Sequence, residues 1–130
     1  VKHIPGGLFD IEFIAQYIQL RDGTNVSELY SLDTVSVLEA AIRNGCIEGS
    51  VGRDLIMGAT FWRNLQGILR LTVDGAFCED RASLGLKHVI AVACGVGNFE
   101  QLKHRMQVIK DMTLEHYLSI FGRLPERIET

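Results

Sequence analysis

Proline is almost missing from this sequence: Pro5 and Pro125 are the only two, and nothing between them carries the residue that costs a helix interior ~3 kcal/mol. Long helices are therefore open to nearly the whole chain. Positive charge is also in short supply. Thirteen Lys and Arg stand against sixteen Asp and Glu, a net charge of −3 in 130 residues. A run of phosphates has nothing here to neutralise it, so neither nucleic acid nor an anionic membrane surface is expected as a partner. Long apolar runs are lacking as well. The longest, Val89 to Val96, is far short of the ~20 residues a membrane-spanning helix needs. What remains, 47% hydrophobic and 22% charged, is the composition of a chain that folds, of a size for one domain rather than two.

Cysteine is sparse and unpaired in pattern. Cys46, Cys78 and Cys94 are odd in number, widely spaced and without a C-x-x-C pair, so neither a disulfide framework nor a zinc site is expected; free thiols in a cytoplasmic protein are. His3, His88, His104 and His116 do not form a ligand set, and no metal site is expected. Gly95-Val96-Gly97 lacks the third glycine and the preceding strand of a dinucleotide fingerprint. No phosphate-binding G-x-x-x-x-G-K-[ST] and no nucleophile with local partners is present, so the chain by itself shows no self-sufficient active site. It opens Val1-Lys2-His3, with neither Met nor an apolar leader, and is expected to begin inside a longer protein.

Helical periodicity is what the sequence does have. From Gly7 to Arg21, apolar Ile11, Phe13, Ile14, Tyr17, Ile18 and Leu20 cover about half a helical wheel, opposite Glu12, Gln16 and Gln19. Asp22-Gly23-Thr24-Asn25 should end that helix, with Gly23 in the left-handed conformation. A second helix is expected over Ser31 to Asn44, capped by Ser31 or Asp33, facing inward through Val35, Leu38, Ala41 and Ile42 and stopped by Gly45. A third should run from a Ser50 cap to about Val73, with Leu55, Ala59, Trp62, Leu65, Leu69 and Thr72 in one stripe. Gly58 and Gly67 within it suggest close helix contacts. Arg81 to Cys94 reads as a fourth helix, although Val89 to Ala93 is apolar on all sides and would also suit a buried strand. Asn98 and Gln101 open a fifth as a capping box, with a seam of Phe99, Leu102, Met106, Ile109, Thr113, Tyr117 and Ile120, closed by Gly122 and Pro125. Such stripes are buried only against one another, which predicts an all-α, up-and-down bundle of four to five helices in a single domain spanning residues 1–130.

The densest unusual chemistry is Pro5-Gly6-Gly7-Leu8-Phe9-Asp10-Ile11-Glu12-Phe13. Paired glycines let backbone approach a ligand or another domain, and the helix start behind them offers unpaired N–H groups suited to an anion, or simply to a cap by Asp10. Asp10 and Glu12 resemble a D-x-E magnesium pair, but on a helix they lie about 200° apart, against two for a strand that share a face. Asp10 falls in the apolar arc, so it points inward and needs a partner: helix N–H groups, a buried Arg or Lys, or something supplied by a preceding domain. Arg63 and Arg70, seven residues apart on the outer side of the third helix, either grip an acidic partner or a phosphate or form an ordinary solvated face.

Gly6-Gly7-Leu8-Phe9-Asp10-Ile11-Glu12-Phe13-Ile14-Ala15-Gln16 resembles the G-G-x-x-D-I-E-F-x-x-Q motif of the glutamine synthetase adenylyltransferase family. The likeness continues through Leu20-Arg21, through Ser31 to Glu39, which is similar to the family's S-D-N-V-x-x-L-E segment, and through Gly45-Cys46-Ile47. From about Asp74 onward only helical character is shared. That resemblance implies a bifunctional nucleotidyltransferase that attaches AMP from ATP to a tyrosine of glutamine synthetase and removes it by phosphorolysis, regulating nitrogen metabolism. Each half of such an enzyme pairs a polymerase-like domain with a helical bundle. Where the family's first half carries Arg just before the Asp, this chain has Phe9, which points by resemblance to the C-terminal, adenylylating half.

The family's G-S-x-x-D-x-D metal motif is absent from these residues. The resemblance therefore implies ATP and Mg2+ in the parent enzyme, no cofactor held here, and a chain inactive when alone. It further implies that Gly6, Gly7, Asp10 and Glu12 support the active site of a preceding nucleotidyltransferase domain. Glutamine synthetase would be the partner, and a PII-type signal protein would act through other domains. The alternative is a stand-alone, non-catalytic interaction bundle.

Overall fold

A computed structural model describes residues 4–30, 33–72 and 83–126. They form α1 (Leu8–Asp22), a 3-10 turn (Ser27–Leu29), α2 (Thr34–Arg43), α3 (Gly49–Thr72), α4 (Leu84–Ala93) and α5 (Phe99–Phe121). No strand occurs among the described residues, and the all-α helical fold is the one expected. The ambiguous Val89 to Ala93 run is helical. No helix among the described residues is long and apolar enough to cross a membrane. Contacts group the chain into two compact units, Val1–Thr60 with Ile109–Thr130, and Phe61–Val108.

The first unit is helix packed on helix. Ile11, Ile14, Ala15 and Ile18 form the buried stripe of α1, and each isoleucine so buried contributes roughly 1.5–3 kcal/mol. Val37, Leu38, Ala40 and Ala41 of α2, Leu55 and Ala59 of α3, and Ile109, Thr113 and Tyr117 of α5 complete the core. Phe13 and Leu20 of the predicted half-wheel stay outside, 42% and 85% exposed, so the stripe is narrower than the count of apolar residues implies. Gly58 is a contact glycine: a Cβ there would lie 2.9 Å from Ile11 Cδ1 and 3.4 Å from Ile109 Cγ2. In the second unit, Trp62, Leu65, Ile90, Ala91 and Leu102 are buried. Among the described residues nothing lies within 4 Å of a Cβ at Gly67, so none of them makes the close contact expected there.

Local signals explain most boundaries. The Asp33 carboxylate accepts from the Ser36 amide at 2.9 Å and caps α2; the alternative cap, Ser31, lies outside the described residues. Ser83 caps α4 through the Leu86 amide at 3.1 Å. Asn98 accepts from the Gln101 amide while the Gln101 side chain returns to the Gly97 amide, both at 2.8 Å. That is a capping box displaced by one residue. Gly45 (φ 71°) and Gly95 (φ 82°) each close a helix with paired backbone bonds of the Schellman kind, Cys46 to Ala41 and Val96 to Ala91.

Two expected boundaries are corrected. Gly23 is right-handed, with φ −62° and ψ −30°. Its need for glycine is spatial, because a Cβ would meet the Tyr30 ring at 2.9 Å and the Gln19 carbonyl closer still. Ser50 is inside α3, which starts at Gly49, and its hydroxyl donates to the Glu48 carboxylate at 2.8 Å. The 3-10 turn is tied to the end of α2 by Glu28, which accepts from Arg43 at 2.5 Å and Asn44 at 3.0 Å. These bonds, that from Arg43 foremost, pull the Glu28 carboxyl below its usual range.

Candidate functional site

Ile4-Pro5-Gly6-Gly7 folds as a tight turn. The Gly7 amide donates to the Ile4 carbonyl at 2.9 Å, Pro5 precedes, and Gly6 takes φ +82°. Proline followed by a positive-φ glycine is the pattern of a type II turn, which explains both residue types. Gly6 is also pressed against α5: a Cβ would collide with the Lys110 carbonyl oxygen and come within 2.8 Å of its Cα. Handedness and space each demand glycine there.

Asp10 is the third residue of α1 and 1% exposed. Its Oδ2 accepts from the Gly6 amide at 2.7 Å in a buried bond. The N-cap itself is Gly7, which offers no side-chain cap. Asp10 is thus not the cap but the returning arm of one. From inside the helix it satisfies the amide that the turn would otherwise bury unpaired, and its charge sits at the positive end of the α1 dipole. Asp10 points inward, as its helical phase implies; of the partners left open for it, helix N–H groups, a buried Arg or Lys, or a preceding domain, the donor observed is a backbone amide, that of Gly6 in the turn before the helix rather than one of the helix itself.

Glu12 is partly exposed on a different side of α1. Among the described residues no three His, Cys, Asp or Glu side chains gather as a metal donor set. Asp10 bonds the Gly6 amide and Glu12 lies on another side of α1, so these two carboxylates do not face a common magnesium ion. Arg63 and Arg70 are exposed on the part of α3 in the second unit, away in sequence from the Gly-Gly turn.

Beside the turn lies a feature that sequence reading missed. Phe9, Asp10, Phe13, Tyr117, Arg123, Pro125 and Glu126 line an open cleft of about 230 Å3. Phe13 stacks on Tyr117 with centroids 6.1 Å apart, and Phe121 meets Phe13, Tyr117 and Tyr17 at 5.5, 4.5 and 4.8 Å. Arg21 lies over the Tyr17 ring at 5.3 Å. Burial first, and the Asp10 charge second, raise the Tyr117 phenol above its ordinary value. Phe13, Tyr17 and Tyr117 were readable as apolar positions of their helices, but that the first two meet Tyr117 and Phe121, about a hundred residues on, is a pairing no periodicity reports. In the same unit His116 Nε2 meets Asp54 Oδ2 at 2.9 Å, joining α5 to α3.

A family model described as GlnD PII-uridylyltransferase matches residues 1–117. The chain belongs to that family. It is similar to the bifunctional glutamine synthetase adenylyltransferase/adenylyl-removing enzyme of Bradyrhizobium diazoefficiens, 34% identical over 107 residues that cover 82% of this chain and 11% of that protein. The enzyme of the same name from Rhodopseudomonas palustris (strain TIE-1) is 33% identical over 124 residues, 95% of this chain and 12% of its own length. That of Xanthobacter autotrophicus is 33% identical over 102 residues, 78% and 10% respectively. The chain therefore spans about a tenth of the length of these relatives. No solved structure matches it. The resemblance drawn from Gly6 to Gln16 thus extends to a likeness over most of this GlnD-family chain, including the part after Asp74 where no motif was visible.

Proposed function

We propose that this chain is a helical domain of a bifunctional glutamine synthetase adenylyltransferase, placed next to a nucleotidyltransferase domain that binds ATP and Mg2+. The parent enzyme transfers AMP to a tyrosine of glutamine synthetase and removes it by phosphorolysis, in the cytoplasm. This chain belongs to the adenylylating, C-terminal half, and any PII-type signal protein acts through other domains. The observation that carries the reading is the match of 95% of the chain to a relative of that name.

Within that reading the Pro5-Gly6-Gly7 turn and Asp10 have a supporting role. The buried bond between Asp10 and Gly6 holds the amino-terminal end of α1 rigid, so the neighbouring domain meets a preorganised edge. Glu12 lies two residues on and adds a partly exposed carboxylate to that helix. Binding of metal and phosphate falls to carboxylates outside these residues. Glutamine synthetase is the protein substrate, with Arg63 and Arg70 as exposed cations open to an acidic stretch of it.

The test is an assay of the parent protein with MgATP and unmodified glutamine synthetase, following AMP incorporation by mass spectrometry. Incorporation on a tyrosine is the expected result. Its absence, or a coding sequence with no G-S-x-x-D-x-D motif upstream of Val1, would overturn the reading.

A further inference from the structure

We infer that the face of α3 bearing Arg63, Gly67 and Arg70 docks an α-helix of glutamine synthetase that presents two carboxylates seven residues apart. The inference rests on the reading above, in which glutamine synthetase is the protein substrate, and deepens it by stating what that partner must offer here.

Charge selects the sign of the partner. Residues 61–108, the second unit, hold six Lys and Arg against four Asp and Glu, whereas the rest of the chain holds seven against twelve. The second unit is thus cationic in a chain that is anionic as a whole, and the segregation is sharpest along α3. From Leu55 to Val73 the sequence has two arginines and no acid. Both arginines are exposed, and neither makes a hydrogen bond, an ion pair or a ring contact among the described residues. Arg21, Arg43 and Arg123, by contrast, each pair with a carboxylate. Two guanidiniums kept clear of every internal acid steer an acidic surface toward this face and hold it by charge-assisted bonds. A nucleic acid is not served by two cations on a chain of net charge −3.

Spacing selects its form. Seven residues are almost two helical turns, so Arg63 and Arg70 stand about 10.5 Å apart along the axis and within about 20° of one another around it. Carboxylates at i and i+7 of a second helix running alongside repeat that distance. Those on one face of a strand recur at about 6.8 or 13.6 Å and miss it. Gly67 falls between the arginines, within about 60° of each, and no described residue lies within 4 Å of a Cβ placed there. Glycine in a helix interior is unfavourable relative to alanine, and nothing within the described fold requires it at this position. Where two helices cross, it lets the backbones close to the short end of the 8–10 Å range, near enough for both carboxylates to reach their guanidiniums. A second copy of this chain does not supply the partner, because no two of its sixteen Asp and Glu are seven residues apart.

The experiment uses the full-length enzyme, with glutamine synthetase as the probe. A benzophenone amino acid replaces Gln66, exposed at the edge of the face, and the cross-links made on irradiation are mapped by mass spectrometry. A cross-link to a helix of glutamine synthetase with acids at i and i+7 is the expected result. A cross-link to a segment without them, to a second copy or to another part of the same chain, or no cross-link at all, would overturn the inference. Binding supplies the second readout. Arg63→Glu together with Arg70→Glu should raise the Kd for glutamine synthetase by about tenfold at low salt, mostly through slower association, and flatten its salt dependence. Gly67→Gln adds no charge and should also raise the Kd by about tenfold, yet leave the melting temperature of the enzyme equal or higher, an opposition of signs that a merely structural glycine does not give. An unchanged Kd in either variant, or a lower melting temperature for Gly67→Gln, counts against the docking face. AMP transfer is read separately. A wild-type enzyme that modifies glutamine synthetase while its variants bind normally sinks only this inference, and one that shows the cross-link and both binding losses without transferring AMP sinks only the functional reading.

Discussion

Asp10 and Gly6 face each other across the first turn of α1, carboxylate oxygen to amide nitrogen at 2.7 Å, with the Asp10 side chain nearly sealed from solvent. Replacing Asp10 by Ala strands a buried amide and should cost about 1–3 kcal/mol. Asp10→Asn keeps an oxygen that can accept, and should cost less than half as much. Thermal melts of the two variants check the order. If Asp10 acts only as this latch, AMP transfer by the parent enzyme follows the melts, with Asn near wild type and Ala reduced. A steep loss in the Asn variant at an unchanged midpoint would instead place Asp10 among the reacting groups.

Two of the glycines inside α3, Gly67 and Gly58, should respond with opposite signs. At Gly67 a methyl group meets nothing among the described residues, so Gly67→Ala gains helix propensity and stabilises by roughly 0.5–1 kcal/mol. At Gly58 the methyl group comes within 2.9 Å of Ile11 Cδ1 in a filled core, and the overpacking of about 1–3 kcal/mol outweighs the same gain. Denaturant midpoints measured side by side test this.

Thr113 is fully buried on α5, and its hydroxyl finds no hydrogen-bond partner among the described residues. Thr113→Val keeps the shape and removes the unsatisfied group, so the variant should be neutral or up to about 1–2 kcal/mol more stable. A lower melting temperature would mean that the hydroxyl is bonded after all.

The raised phenol of Tyr117 sets a sign for alkaline stability. In the unfolded chain it ionises near the ordinary value of about 10; in the folded protein it holds its proton longer, because of burial and then Asp10. Its contribution is complete below pH ~10 and is lost as the pH climbs through the higher folded value. Absorbance at 295 nm should show a late tyrosine component, absent in Tyr117→Phe, and the midpoint of that variant should fall less steeply above pH ~10.

Burial also pushes the Cys46 and Cys94 thiols upward, with Asp22 adding to the effect at Cys46. Less thiolate at neutral pH means slow alkylation. Peptide-level mass spectrometry after brief iodoacetamide treatment at pH 7.5 should find both sites labelled more slowly than a free cysteine, and the gap should narrow as the pH rises.

What could be read from sequence was what neighbours in the chain decide. Asp33, Asn98 with Gln101, and Gly45 act within four or five residues, and each does its expected work. Misreadings came where distant residues decide. Gly23 looks like a left-handed stop, yet Tyr30 arriving from beyond the turn is what excludes a side chain. Gly67 looks like a contact and has none among the described residues, while Gly58, with the same local sequence signal, meets α1 and α5. The site divides likewise. That Asp10 turns inward follows from its helical phase, whereas the cleft needs α5 and the segment after it, and only the folded chain brings Tyr117, Arg123 and Glu126 to Phe9 and Phe13.

Between Gly7 and Asp10 the helix advances by a set amount per residue, and the carboxylate reaches back to Gly6 only at that interval. One inserted residue would swing the acid by about 100° and lift it by ~1.5 Å, off its amide and away from the cleft floor. The interval is a ruler: an insertion between Gly7 and Asp10 breaks the hold on Gly6 even where every residue of the motif is kept.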